Sequence, residues 1–252
     1  RTMAAEDRAE PLANPARTHG GRAMGLRRSW WLSFFGVPHG LPGRLGVRLM
    51  PRTSRPYHDA IAAALQLQPE DELLDVGCGS ATLFVDHARH VRYVAGLDAS
   101  ALQLEMARRR LAERIAAGTA EIVQGDADHL PWADGRFSVA TSVNAPKFFP
   151  DPLAALREMH RVLCPGGRLA VTLGESGEAP AGATEGVVDK WGQWQWTDVA
   201  AQRLVEEAGF VDVDISVMKV FSKARLARGV KPATAALEAT AGAAATAAES
   251  IG

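Results

Sequence analysis

The stretch Leu73-Leu74-Asp75-Val76-Gly77-Cys78-Gly79-Ser80-Ala81-Thr82-Leu83-Phe84 decides how the rest of the chain is read. The run Glu72 to Val76 is short enough for a buried strand. The Gly-x-Gly after it removes side chains where the backbone must turn sharply into a helix. In a sheet of strand-to-helix units a ligand sits beyond the carboxyl ends of the strands, so this turn is the first place to look for a site. A carboxylate or phosphate suits the amides at the positive end of the following helix. By itself a Gly-x-Gly also serves as a plain tight turn, and the flanking sequence has to arbitrate.

Moving outward, the alternation continues. Tyr93 to Leu97, Ala120 to Val123, Val139 to Val143 and Arg168 to Leu173 read as further strands, with Val211 to Val217 as a later one. Helices with chemically legible ends lie between them. His58 to Leu67 is helix-forming, with Ile61 and Leu65 four apart, and Pro69 stops it. Ser100 and Gln103 form a capping box; Leu104, Ala107, Leu111 and Ile115 mark one face, and Gly118 supplies a left-handed stop. Asp151-Pro152 opens a helix carrying Leu153, Leu156 and Leu163 that ends at Pro165-Gly166-Gly167. Thr197 opens another, which runs through Leu204 to Glu207 and closes on Gly209. Strands separated by helices imply right-handed crossovers, hence an α/β, doubly wound, Rossmann-like and mostly parallel sheet with helices on both faces.

Composition bounds the rest. A chain of 252 residues, 47% hydrophobic and 23% charged, can bury one full α/β core. A formal charge of −1 removes the electrostatic footprint of a dedicated nucleic-acid binder. Cys78 and Cys164 are the only cysteines and lie far apart, which leaves neither a disulfide scaffold nor a paired-cysteine metal site, so no metal is expected. A reducing, cytoplasmic setting follows. The apolar stretch Trp30 to Val37 is far short of the roughly 20 residues of a membrane-spanning helix, and residues 1–28 carry no continuous apolar core of a secretory signal.

The charge is uneven: residues 1–70 hold ten Arg and no Lys against five acids. The expected division is a disordered tail over 1–28, an N-terminal cap or lid over 29–54, a ligand-binding α/β domain over 55–222, and an Ala-rich C-terminal tail over 223–252.

Asp98 ends the second strand 21 residues after Gly77, the spacing at which an acid accepts the two hydroxyls of a ribose; a helix cap is its other reading. Gly125-Asp126-Ala127-Asp128-His129-Leu130-Pro131 follows the third strand. An acid there can accept from the exocyclic amine of a purine, or simply face solvent in a turn.

These motifs in this order, with Leu97-Asp98-Ala99-Ser100 and Arg161-Val162-Leu163-Cys164-Pro165-Gly166-Gly167-Arg168-Leu169, resemble the class I S-adenosylmethionine (SAM)-dependent methyltransferases. The type 11 group, similar to the methyltransferases of quinone biosynthesis, is the nearest match. The resemblance spans about residues 55 to 220. It implies a seven-stranded sheet whose added antiparallel strand is expected at Lys219 to Ser222. It implies SAM as cofactor, with Asp75 and the Gly77-Cys78-Gly79 turn at its amino-acid end, Asp98 and Ala99 at the ribose, Asp126 and Ala127 at the adenine, and Asn144 near the methionine moiety. Tyr57, just before the first helix, reaches the cofactor or covers the site in this family, though an ordinary core tyrosine explains it as well.

The chain departs from the family in three places. Ala81 stands where a third glycine is common, which suits SAM better than a dinucleotide pyrophosphate. Ser138 replaces an Asp before the fourth strand, which predicts a lost polar contact. Asn144-Ala145-Pro146-Lys147-Phe148-Phe149 replaces the usual small-residue and histidine pattern.

The resemblance implies methyl transfer by in-line displacement to the O, C or N of a small, apolar or aromatic metabolite. Phe148, Phe149, Trp191, Trp194, Trp196 and the Trp30 to Phe35 segment are candidates for an acceptor pocket, or for a lid packed on itself. A homodimer is open to such a protein. No catalytic base stands out; His39 and His58 are the candidates. Cys78 sits where a thiolate would be stabilised, yet no base adjoins it and small-residue packing explains it better. Two alternatives stay open: an NAD(P)-dependent oxidoreductase, and a noncatalytic SAM-binding or partner protein.

Overall fold

The computed structural model describes residues 54–175, 182–189, 192–219 and 223–233. A first helix, α1, occupies 54–65. Then come β1 (Glu72–Val76), α2 (Thr82–His87), β2 (Tyr93–Asp98), α3 (Ala101–Arg110), α4 (Ala112–Ala116), β3 (Ala120–Gln124) and β4 (Phe137–Ser142). A 3-10 turn at Pro146–Phe148 leads to α5 (Pro152–Val162), β5 (Leu163–Glu175), a small hairpin of β6 (Val187–Val188) and β7 (Trp194–Gln195), α6 (Asp198–Glu207), β8 (Val211–Lys219) and β9 (Lys223–Val230).

Seven strands form one sheet in the order β3-β2-β1-β4-β5-β9-β8. Strands β1 to β5 run parallel; β9 pairs antiparallel with β5 on one side and β8 on the other. The order reverses at β1, between β2 and β4, and that is where a doubly wound sheet opens a crevice at its strand ends. Successive strand residues face opposite sides, so Leu73 enters one core and Leu74 the other. The first core joins the sheet to α1, α2 and α3 through Ile61, Leu83, Phe84 and Leu104. The second joins it to α5 and α6 through Leu156, Met159, Ala201 and Val205.

The helix starts are capped as their residues dictate. Ser100, Asp151 and Thr197 each accept the backbone N–H three residues on. Gly118 and Gly209 hold φ of +71° and +101° just past helix ends.

Three expectations change. The expected single helix from Ser100 to Gly118 breaks at Leu111, so Ile115 lies exposed on α4. Leu163 belongs to β5, where it registers with Phe137 rather than extending α5. The added strand is β9 at Lys223–Val230, so the sheet runs past the boundary placed at 222 and into the segment taken for a tail. Arg225 and Arg228 break the apolar alternation there, and the strand's inward residues are mostly the small Ala224 and Ala227. Their ion pairs, Arg225 with Asp198 and Arg228 with Asp214, lie too far off in sequence to be anticipated.

Ser138 keeps a polar contact instead of losing one. Its hydroxyl donates to Asp71 Oδ1 at 2.7 Å and accepts the Glu72 N–H at 3.0 Å, while Arg168 Nη2 holds Asp71 Oδ2 at 2.6 Å. This half-buried knot ties the amino ends of β1 and β4 to Arg168 of β5, opposite the crevice.

Candidate functional site

The turn after β1 is built from left-handed residues: Gly77 at φ +79°, Gly79 at +53° and Ala81 at +63°. Gly77 and Cys78 both donate their N–H to the Leu97 carbonyl, at 2.7 and 3.0 Å, and the Gly79 N–H goes to Asp98 Oδ2 at 2.9 Å. These three amides lash the turn to the end of β2. What the glycines supply is backbone without side chains. A Cβ on Gly77 would lie 2.3 Å from the Ala145 Cβ, so the turn after β4 sits directly against the turn after β1. Ser142 Oγ reinforces this join by donating to the Val76 carbonyl at 2.5 Å.

Asp98 is the hub. Oδ1 accepts the Ser100 N–H at 2.8 Å while Oδ2 holds Gly79, which leaves each oxygen a further lone pair. Burial pushes its carboxyl above the ordinary range, and the Ser100 and Gly79 bonds pull it back. Asp98 thus braces the turn after β1, and the helix cap is Ser100 rather than Asp98.

Asp75 is only 1% exposed, and its Oδ1 has no hydrogen-bond partner. Burial first, and then the Asp98 charge, raise its carboxyl to about 8. At neutral pH it is largely a neutral acid at the end of β1.

Cys78 is packed rather than reactive. A Cβ on Gly96 would meet its Sγ at 2.7 Å, and burial, followed by the Asp98 and Asp75 charges, pushes the thiol well above its ordinary value.

The remaining residues fall along the same edge. Ala99 is exposed and its carbonyl accepts from Gln124 Nε2 at 3.1 Å. Asp126 is exposed in the turn after β3, and the half-buried Ala127 leans on the second core. Asn144 adopts φ +59° beyond β4 and donates its N–H to Thr172 Oγ1 at 2.6 Å.

Tyr57 and His58 stand on α1. Tyr57 packs in the first core. His58 is buried among Asp59, Asp86 and His87, against the last turn of α2 and away from the helix's glycine end. Burial, then the His87 charge, lower it to about 4. His39, Trp191 and the Trp30 to Phe35 segment lie outside the described residues.

An aromatic shelf flanks the turn after β4. Phe148 and Phe149 are half-buried, Trp194 Nε1 donates to the Phe149 carbonyl at 2.9 Å, and Trp194 stacks on Trp196 with centroids 6.0 Å apart. Trp196 itself is core, at 2% exposed. Lys147 is buried on this turn with Nζ 5.4 Å from the Phe148 ring.

Sequence reasoning missed Ala145, Thr172 and Arg110 as parts of the site. All three act through partners 28 to 68 positions away, and no local motif records that. Among the described residues no cluster of potential metal ligands exists, and no helix is long and apolar enough to cross a membrane.

Residues 74–171 match the family described as "Methyltransferase domain". The demethylmenaquinone methyltransferase of Mycolicibacterium vanbaalenii is 37% identical over 115 residues, 46% of this chain and 47% of that one. That of Lactiplantibacillus plantarum is 29% identical over 150 residues, 58% and 61% of the two chains. The chain thus spans about half the length of these curated relatives. Among solved structures, the Burkholderia thailandensis 1,6-didemethyltoxoflavin-N1-methyltransferase, with 1,6-didemethyltoxoflavin and S-adenosylhomocysteine bound, superposes with a TM-score of 0.61 at 18% identity. The alignment covers 89% of this chain and 93% of that one. Residues 74–171 are thus similar to a methyltransferase domain, and the fold is the one this chain shares with that solved methyltransferase.

Proposed function

We propose that the protein transfers the methyl group of SAM to a small, apolar or aromatic metabolite. The observation that carries this reading is Asp98, which braces the glycine turn at the topological switch point and keeps acceptor capacity for ribose hydroxyls. The family match and the structural likeness to a methyltransferase that holds S-adenosylhomocysteine support it.

The residues present fit the cofactor. The turn from Gly77 to Gly79 is the backbone along which its amino-acid end would lie. The unpartnered Oδ1 of Asp75 is a buried polar atom next to that position, and Asp98 would take the ribose. Asp126 with Ala127 would border the adenine, and Asn144 the methionine chain. When bound, SAM supplies an electrophilic methyl on a sulfonium.

The acceptor nucleophile forms the new bond to the methyl carbon as the carbon–sulfur bond breaks, and the electron pair stays on sulfur in a neutral thioether. A protonated acceptor gives up its proton to water or to a group of its own. The chain's contribution is alignment and exclusion of water. The shelf of Phe148, Phe149 and Trp194 beside the turn after β4 suits a flat or apolar acceptor. The matched relatives methylate a demethylmenaquinone by name, which accords with that choice.

Calorimetric titration with SAM, S-adenosylhomocysteine and NADPH tests the cofactor. Binding of the first two is expected, and binding of NADPH alone overturns the reading. A screen of metabolite extracts with methyl-labelled SAM then tests transfer, and persistent absence of labelled product with SAM bound refutes the activity.

A further inference from the structure

The glycine turn carries an unresolved local conflict. Ala81, the residue immediately before α2, sits at φ 63°, ψ 32°, a left-handed conformation that is strained for a residue with a Cβ. It offers no capping side chain, and it is fully buried. A glycine would take this conformation without strain; here something outside the turn must hold it.

That something is visible at the far end of α3. Arg110, its last residue, directs Nη1 to the Ser80 carbonyl at 3.0 Å, to Ser80 Oγ at 3.1 Å and to Thr82 Oγ1 at 3.3 Å. Ser80 and Thr82 flank Ala81 and are both buried, and their hydroxyls lie 3.4 Å apart. One guanidinium nitrogen therefore bridges the residues on both sides of the strained one. The beginning of α3 grips the same turn, through Ser100, whose N–H shares Asp98 with Gly79, and through the Gln103 side chain packed under Gly79. Charge-assisted bonds of this kind are the stronger class.

We propose that Arg110 is a positioning residue for cofactor binding: it clamps Ser80 and Thr82 so that Ala81 stays left-handed and the Gly77–Gly79 backbone keeps the course that a ligand requires. The inference rests on the proposed SAM site for its ligand, and on Ala81 for its cause. It predicts that the need for Arg110 disappears once residue 81 can be left-handed at no cost.

The test compares the full chain with Arg110→Ala, Arg110→Lys, Ala81→Gly, the double variant Ala81→Gly/Arg110→Ala, and Arg109→Ala as a control whose guanidinium pairs with Glu105 on the exposed side. Calorimetry reads the Kd for SAM and S-adenosylhomocysteine; hydrogen exchange reads the amides of residues 77–83 without ligand. Arg110→Ala is expected to weaken both ligands about five- to twentyfold and speed exchange in the turn. The lysine variant should recover part of the loss, and the double variant should return to within about threefold of the parent. Arg109→Ala should match the parent. Equal affinity and equal exchange for Arg110→Ala, or a double variant as weak as the single one, overturns the proposal. A parent that binds no SAM overturns the functional reading instead, and the exchange data still decide whether Arg110 holds the turn.

Discussion

Asp98 Oδ2 and the Gly79 N–H, 2.9 Å apart and 19 residues distant in sequence, join the end of β2 to the turn after β1. The carboxylate that would hold a ribose is thus also the strut of the loop that would hold the amino-acid end. Asp98→Ala should therefore weaken SAM by about 1–3 kcal/mol and also lower the melting temperature of the ligand-free protein. Titration and thermal melts of the same variant check both. Weaker binding with an unchanged melt would leave Asp98 a ligand contact only.

Asp75 makes the fold sensitive to alkali. Its carboxyl titrates near 8 in the folded protein and near the ordinary 3.8 when unfolded, so the folded state holds the extra proton between those values. Stability from this group is full below about 4 and falls as pH rises towards 8. Asp75→Asn should leave the melt at pH 4 nearly unchanged and raise it at pH 8.5 by about 5 °C, what 1–2 kcal/mol is worth in a domain of this size. A variant whose melting curve keeps the parent's slope across that range refutes the assignment.

His58 acts in the opposite direction. It is held near 4 against 6.5 when unfolded, so the unfolded state takes up the proton first and stability falls as pH drops from 6.5 to 4. Its Nδ1 has no partner, and an apolar replacement loses no hydrogen bond there. His58→Leu should flatten this acid limb, as read by denaturant midpoints at pH 7 and 4.5. It should leave SAM affinity unchanged.

Gly77 and Gly118 are both left-handed, at φ +79° and +71°, but a Cβ on Gly118 meets nothing within 4 Å while one on Gly77 meets Ala145. Gly118→Ala should cost about 1 kcal/mol and Gly77→Ala about 2–4 kcal/mol, the excess being the collision. Adding Ala145→Gly to Gly77→Ala should recover most of the excess. Denaturant unfolding of the four proteins measures it; equal costs for the two alanines would contradict the close approach of the two turns.

At the opposite end of the strands, Ser138→Ala removes the donor to Asp71 Oδ1 and the acceptor of the Glu72 N–H. It should destabilise by about 1–3 kcal/mol while leaving SAM affinity within error of the parent. A loss of affinity that exceeds the loss of stability would show that the knot reaches the crevice.

The turn at Gly77 to Gly79, the capped starts at Ser100, Asp151 and Thr197, and the parallel succession of strands were legible because each is written in adjacent residues. The direction of the turn's amides was not, since nothing near Gly77 announces that its N–H belongs to Leu97. Strand β9 was hidden by arginines whose carboxylates lie 14 and 27 positions away. Ser138 looked like a loss because its family counterpart is charged; the acid it serves, Asp71, comes from another strand. In each case local chemistry was readable and long-range partnership was not.

The placement of β9 also constrains how the chain assembles. It is the last described strand to leave a ribosome, yet it lies inside the sheet, and β8 has no other neighbour. Until residue 230 emerges, β5 is an exposed edge and β8 has nothing to pair with. The five parallel strands can gather earlier, but the far side of the sheet closes only once residues 223–230 have emerged. A nascent or proteolysed chain cut short of Lys223 would carry an open, self-complementary edge, the surface on which misassembly begins.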